Sequence, residues 1–333
     1  MTESPEALQA EIREMTEKVT EHGYRYHVLD QPAVTDSEYD ELFRRLLKLE
    51  LEYPDFALPN SPTAKVGGPP LAKFTSIRHT LPMLSLDNIT NKQELTDFER
   101  RIQRFLKTTG PLEYVAEPKI DGIGVELVFE NGELAVGSTR GDGINGEDIT
   151  QNIRTIRSIA LSLRQDGEAP PRLLAVRGEV FYPTEAFRRL NRQREEAGEY
   201  LFANPRNAAG GALKQLDSKV TASRPLDLFC HGMGTVEPAS FVNHADFLSS
   251  LRSWGLKPVP LTRICRNVDE IVAYQEEMES RRDNLPYEID GVVVKVNSLE
   301  LQRRLGQIAR SPRWAMAYKF KPRQSTTRIL DIQ

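Results

Sequence analysis

The sequence predicts an α+β protein in which a small helical module precedes a larger domain of antiparallel sheets with flanking helices. Two observations support this fold class. Apolar residues recur at helical spacing in residues 1–60, and from about residue 112 the pattern changes to short apolar strands separated by turns. The strands and helices then follow each other irregularly. This favours α+β over a doubly wound sheet, which would need repeated strand–helix–strand units.

Two amphipathic helices form the predicted module, residues 1–66. The first helix carries its apolar stripe at Leu8, Ile12, Met15 and Val19. The second begins near Thr35, because Thr35 and Glu38 fit a capping box. Its apolar face consists of Tyr39, Leu42, Phe43, Leu46 and Leu49. Tyr53 and Pro54 mark its end, since proline cannot continue a helix.

The larger domain is predicted over residues 67–320. Its strand candidates are EYVAEPK, GVELVFE, LAVGSTR, LLAVRGEVFY, LDLFCHGMG and IDGVVVKVN. Asn131 and Gly132 join the second and third of these, which predicts a type I′ hairpin. Helices are expected near residues 184–197, 243–254 and 268–281.

Composition and charge exclude several classes of protein. The chain is 39% hydrophobic and 28% charged, which is typical of a soluble globular protein. No apolar run approaches the roughly 20 residues that span a bilayer, and the acidic N-terminus does not resemble a secretory signal, so we expect a cytoplasmic protein. Cys230 and Cys265 form no C-x-x-C pair, which argues against a structural zinc site or a disulfide framework.

The charges are unevenly distributed along the chain. Residues 1–60 carry 14 acidic and 6 basic side chains, whereas residues 303–328 carry 8 basic and no acidic ones. A basic stretch of this kind suits a polyanionic partner, although a solvated surface is an alternative.

Lys119, in the run EPKIDG, is the candidate nucleophile. An unprotonated lysine amine is a good nucleophile, and Gly122 allows a ligand to approach the backbone closely. The tetrapeptide alone is weak evidence, because most lysines are solvated surface charges. Four further motifs strengthen it, each of which would alone indicate a salt bridge: TRGDG with Arg140, VRGEVF with Glu179, EIDGVVVKVN with Asp290 and Lys295, and WAMAYKFK with Lys319.

Taken in order, these motifs resemble the nucleotidyltransferase motifs of covalent nucleic-acid ligases. The runs YRYHVLD and DSEYD near the N-terminus resemble the NAD-dependent DNA ligases of bacteria, and FANPRNAAG adds a further match. The resemblance covers essentially the whole chain and implies an ATP-grasp-like ligase fold. It implies three steps: the lysine takes AMP from NAD and releases nicotinamide mononucleotide (NMN), AMP passes to the 5′-phosphate of a nick, and the 3′-hydroxyl displaces AMP.

The resemblance also implies roles for individual residues. Lys119 would be the nucleophile, with Asp121 orienting it or helping to hold magnesium, and Asp290 would be a second carboxylate for metal or phosphate. Glu117 would contact the adenine, Arg140 and Glu179 the ribose, and Lys295 and Lys319 the AMP phosphate. The nucleotide pocket would be lined by Ser85 and Leu86. The NMN part of NAD would bind the helical module at Tyr26, His27, Asp36, Tyr39 and Asp40, where tyrosine can stack on the pyridinium ring.

Partners and cofactors follow from the same resemblance. We expect NAD as cosubstrate, with magnesium, or manganese in its place, bound largely through phosphate and water. Nicked double-stranded DNA would contact Arg206 and Lys214. Lys214 stands where the family often has arginine, so a bidentate phosphate contact is lost there. We expect a monomer, no contact with membranes, and closure of the helical module over NAD.

The end of the sequence suggests a fragment. STTRILDIQ reads as a strand that begins and is cut off, so residues 321–333 are interpreted as a linker and the start of an OB-fold. The resemblance implies that zinc, helix-hairpin-helix and BRCT elements lie beyond it. The expected outcome is a chain that forms the lysine–AMP adduct but binds nicked DNA weakly and seals it poorly.

Two alternatives stay open. An ATP- or GTP-using ligase or capping enzyme would share the lysine motifs but would lack the helical module. A nucleic-acid-binding module with a degenerate site would need no intact set of charged residues. The sequence retains Lys119, Glu179, Lys295 and Lys319, which argues against the second alternative.

Overall fold

A computed structural model describes residues 5–27, 31, 33–63, 71–165, 169–238, 241–308 and 311–321. Inside its helices, the side chains of residues 26, 27, 36, 37 and 40 fall outside this description. The described part forms ten α-helices and eleven β-strands. None of these helices is long and apolar enough to cross a membrane.

The helices flank the sheets and form the N-terminal module. They are α1 Pro5–His27, α2 Asp36–Glu52, α3 Lys92–Leu106, α4 Thr150–Ile153, α5 Thr184–Glu196, α6 Pro205–Leu213, α7 Ser218–Ala222, α8 His244–Ser253, α9 Val268–Arg281 and α10 Leu299–Leu305. Short 3₁₀ turns follow α2 at Pro54–Phe56 and α9 at Arg282–Asn284.

The strands form three sheets. They are β1 Ser76–Arg78, β2 Asp87–Ile89, β3 Tyr114–Ile120, β4 Ile123–Glu130, β5 Glu133–Thr139, β6 Asn145–Glu147, β7 Leu173–Phe181, β8 Asp227–Glu237, β9 Arg263–Cys265, β10 Ile289–Val296 and β11 Ala315–Lys319. A five-stranded sheet has the order β2-β11-β10-β3-β9, a four-stranded sheet the order β5-β4-β7-β8, and β1 pairs with β6. All described pairs are antiparallel except β2 with β11, which is parallel. The predicted α+β class with antiparallel sheets is therefore confirmed, with this one exception.

The helical module has a small core of its own, in which α1 contributes Leu8, Ile12, Met15 and Val19 and α2 contributes Leu46. The predicted capping box is present: the Thr35 hydroxyl accepts the Glu38 amide at 3.3 Å, and the Glu38 carboxylate accepts the Thr35 amide at 2.8 Å. Reciprocal caps of this kind satisfy backbone donors that the first helical turn leaves unpaired.

The two faces of the five-stranded sheet differ in chemistry, because side chains alternate across a strand. On β3, one face carries Tyr114, Ala116 and Ile120, which pack in an apolar core with α3 and α9. The opposite face carries Glu117 and Lys119. Pairing with β10 and β11 extends this polar face to Lys295 and Lys319.

The four-stranded sheet repeats this arrangement with a second core. Val125 and Leu127 of β4 and Val176 and Val180 of β7 point into that core. The predicted hairpin joins β4 to β5, and Asn131 and Gly132 have φ values of 51° and 84°. Positive φ at both central positions is the type I′ geometry.

Candidate active site

Polar side chains from the two large sheets meet in one region. In the four-stranded sheet, Glu179 of β7 lies opposite Gly124 of β4, and the amide of Arg140, just after β5, donates to the Gly124 carbonyl at 2.9 Å. The turn after Lys119 in the other sheet lies against Glu179, because a side chain at Gly122 would come within 3.0 Å of Glu179 Cγ. The structure thus brings together residues that the sequence separates by up to 200 positions.

Lys119 and Lys319 share one carboxylate. The Lys119 ammonium lies 3.3 Å from Asp290 Oδ1, and Lys319 makes a short ion pair with Asp290 Oδ2. All three side chains are between about a fifth and a third exposed. A ligand can therefore reach the Lys119 nitrogen. Gly291 is required beside this group, because a side chain there would collide with the Tyr318 carbonyl.

Lys295 forms a separate, buried ion pair with Glu117. Its ammonium lies 2.5 Å from Glu117 Oε1 and 2.5 Å from the His231 carbonyl oxygen, with the His244 Nε2 atom 3.4 Å away. Glu117 Oε2 is buried and has no hydrogen-bond partner within the described residues. Burial raises the pKa of the Glu117 carboxyl, and the neighbouring Lys295 opposes this. A buried acceptor without a protein partner can receive a hydrogen bond from a ligand or from water.

Both histidines beside Lys295 are neutral. Burial, together with the positive charge of Lys295, lowers the pKa of His231 to about 3 and that of His244 well below its usual value. A neutral His244 nitrogen can accept a hydrogen bond from an ammonium group. The three donor positions of Lys295 therefore face Glu117 and these two residues.

Burial also has the largest effect on the pKa of Glu179. It raises the pKa of the carboxyl to about 7, opposed by the cations Lys119, Arg206 and Arg140. Arg140 itself is exposed. An ionised Glu179 accepts hydrogen bonds, whereas its protonated form also donates one. Perturbed carboxyl groups of this kind cluster at functional sites.

The turn after Lys119 is fixed against the second sheet. A side chain at Gly122 would overlap the carbonyl oxygen of Val180 and lie 3.0 Å from Glu179 Cγ. Asp121 is held from the other side by Arg206 of α6, with Nη1 3.0 Å from Oδ1. Arg206, predicted to contact DNA, therefore reaches the active-site turn. Lys214, at the end of α6, pairs instead with Glu147 at 2.5 Å.

Ser85 and Leu86 lie in the segment that leads into β2, with Ser85 exposed and Leu86 half-buried. Arg177 of β7 fixes the preceding residues, because its Nη2 donates to the carbonyl oxygens of Leu81 at 2.9 Å and Pro82 at 3.0 Å. Sequence reasoning missed Arg177. Its position two residues before Glu179, on the same strand face, is the signal that could have indicated it.

The structure does not bring the described part of the helical module to this site. The Glu21 carboxylate of α1 pairs with Arg164 at 2.6 Å, and the Tyr24 hydroxyl donates to the Arg252 carbonyl at 3.1 Å. Arg154 also donates to the side-chain oxygen of Asn60 at 2.9 Å. The main chain around Arg154 and Arg164 packs beside the β4–β5 turn, at the end of the sheet opposite Arg140 and Glu179.

Tyr39 is a half-buried residue within the module. Its ring centroid lies 6.4 Å from that of Phe43, and its hydroxyl lies against Gly23 of α1. The side chains of the other four predicted NMN contacts, Tyr26, His27, Asp36 and Asp40, lie outside the described part of the chain.

Carboxylates in the site are bound to cations of the protein. Arg206 pairs with Asp121, and Lys119 and Lys319 both pair with Asp290. Among the described residues there is no group of three or more histidine, cysteine, aspartate or glutamate side chains that could hold a metal ion. The described side chains do not form a magnesium cage, so nucleotide phosphates and water would have to supply most of the ligands of a magnesium ion bound among them.

The basic C-terminal stretch is partly used by the fold. Lys319 lies in the site, and Arg313 donates to the carbonyl oxygens of Leu305 and Gln307. Arg303 pairs with Glu300 on the surface. Residues 322–333, which include the predicted start of an OB-fold, lie outside the described residues.

Comparison with known proteins assigns both parts of the chain. Residues 71–323 match the family described as the NAD-dependent DNA ligase adenylation domain, and residues 5–67 match the DNA ligase-like, N-terminal NAD+-binding domain. The chain belongs to the NAD-dependent DNA ligases. The resemblance carried by the lysine motifs and the N-terminal runs is confirmed, and the match to the NAD+-binding domain disfavours an ATP- or GTP-using enzyme.

Curated relatives of this NAD-dependent DNA ligase chain are similar over almost all of its length. The DNA ligase of Citrifermentans bemidjiense is 54% identical over 96% of the chain, that of Geobacter sulfurreducens 56% over 93%, and that of a Thermoanaerobacter species 50% over 96%. These alignments cover 48%, 46% and 47% of the respective relatives. The chain therefore spans about half the length of the ligases it matches.

Proposed function

We propose that this chain carries out the adenylylation step of an NAD-dependent DNA ligase. The Lys119 nitrogen, after losing a proton, attacks the adenylyl phosphorus of NAD. A phosphorus–nitrogen bond forms, the bond from phosphorus to the bridging oxygen breaks, and NMN leaves with that oxygen. The observation that carries the proposal is the position of Lys119: its accessible amine shares one sheet face with Glu117, Lys295 and Lys319.

The buried pair of Glu117 and Lys295 is the proposed adenine subsite. Adenine has an amino donor beside a ring-nitrogen acceptor, which matches a carboxylate beside an ammonium group. The unpartnered Glu117 Oε2 supports an added donor there. Lys295 was expected at the phosphate. Since its three donors face protein acceptors, it would have to give up one of these contacts to reach any ligand.

The ribose and phosphate subsites follow from the remaining contacts. Glu179 and Arg140, in the four-stranded sheet that faces Lys119, would bind the ribose. Ser85 and Leu86 would complete the pocket. Lys319 would bind the phosphate, exchanging the Asp290 carboxylate for a phosphate oxygen. A cation held at this point stabilises the charge that grows on phosphorus as the bond to NMN lengthens.

Binding of NMN requires a second arrangement of the helical module. We propose that Tyr26, His27, Asp36, Tyr39 and Asp40 form the NMN pocket after the module leaves its contacts with Arg164 and closes over Lys119. Support comes from the match of this module to an NAD+-binding domain. Lid closure of this kind excludes water and completes a site.

The later steps of the proposed reaction involve DNA. We propose that AMP passes to the 5′-phosphate of nicked double-stranded DNA, that Arg206 and Lys214 contact DNA phosphates, and that the adenylation domain has an ATP-grasp-like ligase fold. The names of the relatives and the position of Arg206 beside Asp121 support the DNA contact. Magnesium, bound through NAD phosphates, would neutralise charge on the substrate.

Intact mass spectrometry tests the adenylylation step. The chain is incubated with NAD and magnesium, and about one added AMP per chain is expected. Lys119→Ala should abolish the adduct, whereas Lys92→Ala, an exposed lysine paired with Asp269, should not. An adduct that forms from ATP but not NAD, or one that persists in Lys119→Ala, would refute the proposal.

A further inference from the structure

A buried histidine lies just outside the residues assigned to the nucleotide. His79 follows β1, and its side chain is fully buried. Its Nδ1 atom lies 3.2 Å from Glu126 Oε1, and its Nε2 atom lies 3.0 Å from the carbonyl oxygen of Arg140. Both neighbours are hydrogen-bond acceptors. A neutral imidazole donates from only one nitrogen, so beside an ionised Glu126 both bonds exist together only when the ring is protonated.

The surroundings of His79 contain charges from several elements. Glu126 comes from β4, Arg177 from β7 with Nε 3.9 Å from Glu126 Oε2, and Asp142 from the turn after β5. On β6, Gly146 lies against the ring and carries no charge. Glu126 also accepts hydrogen bonds from the Thr80 amide at 3.2 Å and the Thr80 hydroxyl at 3.3 Å.

These opposing influences favour the charged ring. Burial lowers the pKa of His79, but the hydrogen bonds to Glu126 and to the Arg140 carbonyl raise it, and the net direction is upward. Burial raises the pKa of Glu126, but the bonds from His79 and Thr80 lower it further than burial raises it. The two partners agree: a protonated histidine beside an ionised glutamate.

We propose that His79 is a positioning residue whose protonated ring holds Arg140 and the Ser85–Leu86 segment in place for NAD binding. The proposal rests on the proposed adenylylation function. His79 itself touches no nucleotide in this scheme. It acts through the main chain of Arg140, whose side chain would bind the ribose.

The backbone around His79 explains how one ring can fix both parts of the pocket. The His79 amide donates to the Ile144 carbonyl at 3.0 Å, and the Met83 amide donates to the Gly143 carbonyl at 2.7 Å. The segment after β1 and the turn after Arg140 are thus joined at three points, the third being the His79 ring. Arg177 anchors the same segment at residues 81 and 82.

The consequence is a dependence on pH with a defined sign. A histidine whose pKa is raised on folding stabilises its contacts below its ordinary pKa, and this contribution is lost as the pH rises through the raised value. Deprotonation would release either Glu126 or the Arg140 carbonyl. The KM for NAD should therefore rise on the alkaline side. Protonation of Glu179, with its pKa of about 7, raises the same KM on the acidic side.

Nuclear magnetic resonance of ¹⁵N-histidine-labelled full chain measures the ring directly, with the His79 signals identified by their loss in His79→Gln. Both His79 nitrogens should show protonated shifts at pH 6, whereas His231 and His244 should each keep one unprotonated nitrogen. Glu126→Gln keeps an acceptor but removes the charge, and it should lower the pKa of His79 by roughly one unit. A neutral His79 ring at pH 6 would overturn the proposal.

Kinetics of adduct formation test the positioning role. His79→Gln should raise the KM for NAD about 10-fold at pH 6, because a charged hydrogen bond is lost, with a smaller change in kcat. It should also remove the alkaline rise, and Glu126→Gln should move that rise to lower pH. Arg172→Gln, which breaks an exposed ion pair with Glu237 in the same sheet, is the matched control.

The outcomes separate this proposal from the proposed function. If the wild-type chain forms no AMP adduct, the proposed function fails. If the wild type is active and a folded His79→Gln keeps the wild-type KM and pH profile, the positioning role is refuted. Should His79→Gln not fold, the pH shift in Glu126→Gln decides, because a purely structural role of His79 would leave the alkaline limb in place.

Discussion

Replacement of Lys295 by methionine tests the buried ion pair at the proposed adenine subsite. Methionine retains most of the side-chain volume but removes the charge that faces Glu117 at 2.5 Å. Glu117 is 1% exposed and would become an unpaired buried carboxylate. Breaking a buried pair in this way costs about 3–5 kcal/mol. A loss of this size lowers the melting temperature by about 4–7 °C in a chain of 333 residues, because the entropy of unfolding grows with chain length.

The pH dependence of that loss identifies its cause. Burial raises the pKa of Glu117, and Lys295 is the group that opposes this. Without Lys295, the folded protein would hold a proton that the unfolded chain releases above its ordinary carboxyl pKa. Stability then falls as the pH rises. The deficit of Lys295→Met should therefore be larger at pH 8 than at pH 5.

A double variant separates stability from chemistry. Glu117→Gln combined with Lys295→Met leaves no buried charge, so it should regain about 2 kcal/mol and lose the extra pH dependence. It should form no AMP adduct, because both proposed adenine contacts are gone. Lys92→Met, which breaks an exposed pair with Asp269, should leave stability nearly unchanged, because solvent screens such pairs.

Urea unfolding at the two pH values, followed by circular dichroism, measures these differences. Two results would refute the reasoning. One is a single variant as stable as the wild type at pH 8. The other is a double variant no more stable than the single one.

Two further predictions concern Glu179, at the proposed ribose subsite, and the turn after Lys119. In the wild type the KM for NAD should rise as the pH falls below the Glu179 pKa of about 7. Glu179→Gln should have a high KM that does not depend on pH in this range. A variant whose KM still rises at low pH as in the wild type would contradict this prediction. Gly122→Ala overlaps the carbonyl oxygen of Val180 and places a carbon 3.0 Å from Glu179 Cγ, so the turn must move by about 1 Å to restore normal contacts of about 3.5–4.0 Å. Displacement of this size should slow adduct formation about 100-fold. The control is Gly110→Ala, whose new carbon would make only an ordinary contact with Thr108, so the rate should not change. Equal rates for the two variants would refute the steric argument.

Local sequence signals predicted much of the fold. The Thr35 cap, the Asn131–Gly132 hairpin and the three central helices α5, α8 and α9 were all predicted, because each depends on residues close together in sequence. Helix α3, Lys92–Leu106, was not predicted, although Leu95, Phe98, Ile102 and Leu106 form a clear apolar stripe. The parallel pairing of β2 with β11 could not be predicted, since it joins residues more than 200 positions apart.

The candidate site was likewise predicted only in part from the sequence. Motifs identified Lys119, Glu117 and Glu179, but the sequence could not show that Lys119 and Lys319 share Asp290 whereas Lys295 pairs with Glu117. That division depends on the register of three strands. The roles of single residues stay predictions, as do the monomeric state, the cytoplasmic location and the magnesium requirement.

The placement of the two cores bears on how such a site changes over evolutionary time. On the facing surfaces of the two sheets, charged groups stand beside apolar residues that belong to the cores, since Val115 packs in one core and Phe181 and Phe229 in the other. A substitution of a charged residue there alters the chemistry without removing core volume, whereas truncation of one of these three apolar residues opens a cavity. Folding constraints and catalytic constraints therefore fall on neighbouring residues of the same sheet faces, so nucleotide specificity can change at the charged positions while the scaffold is retained.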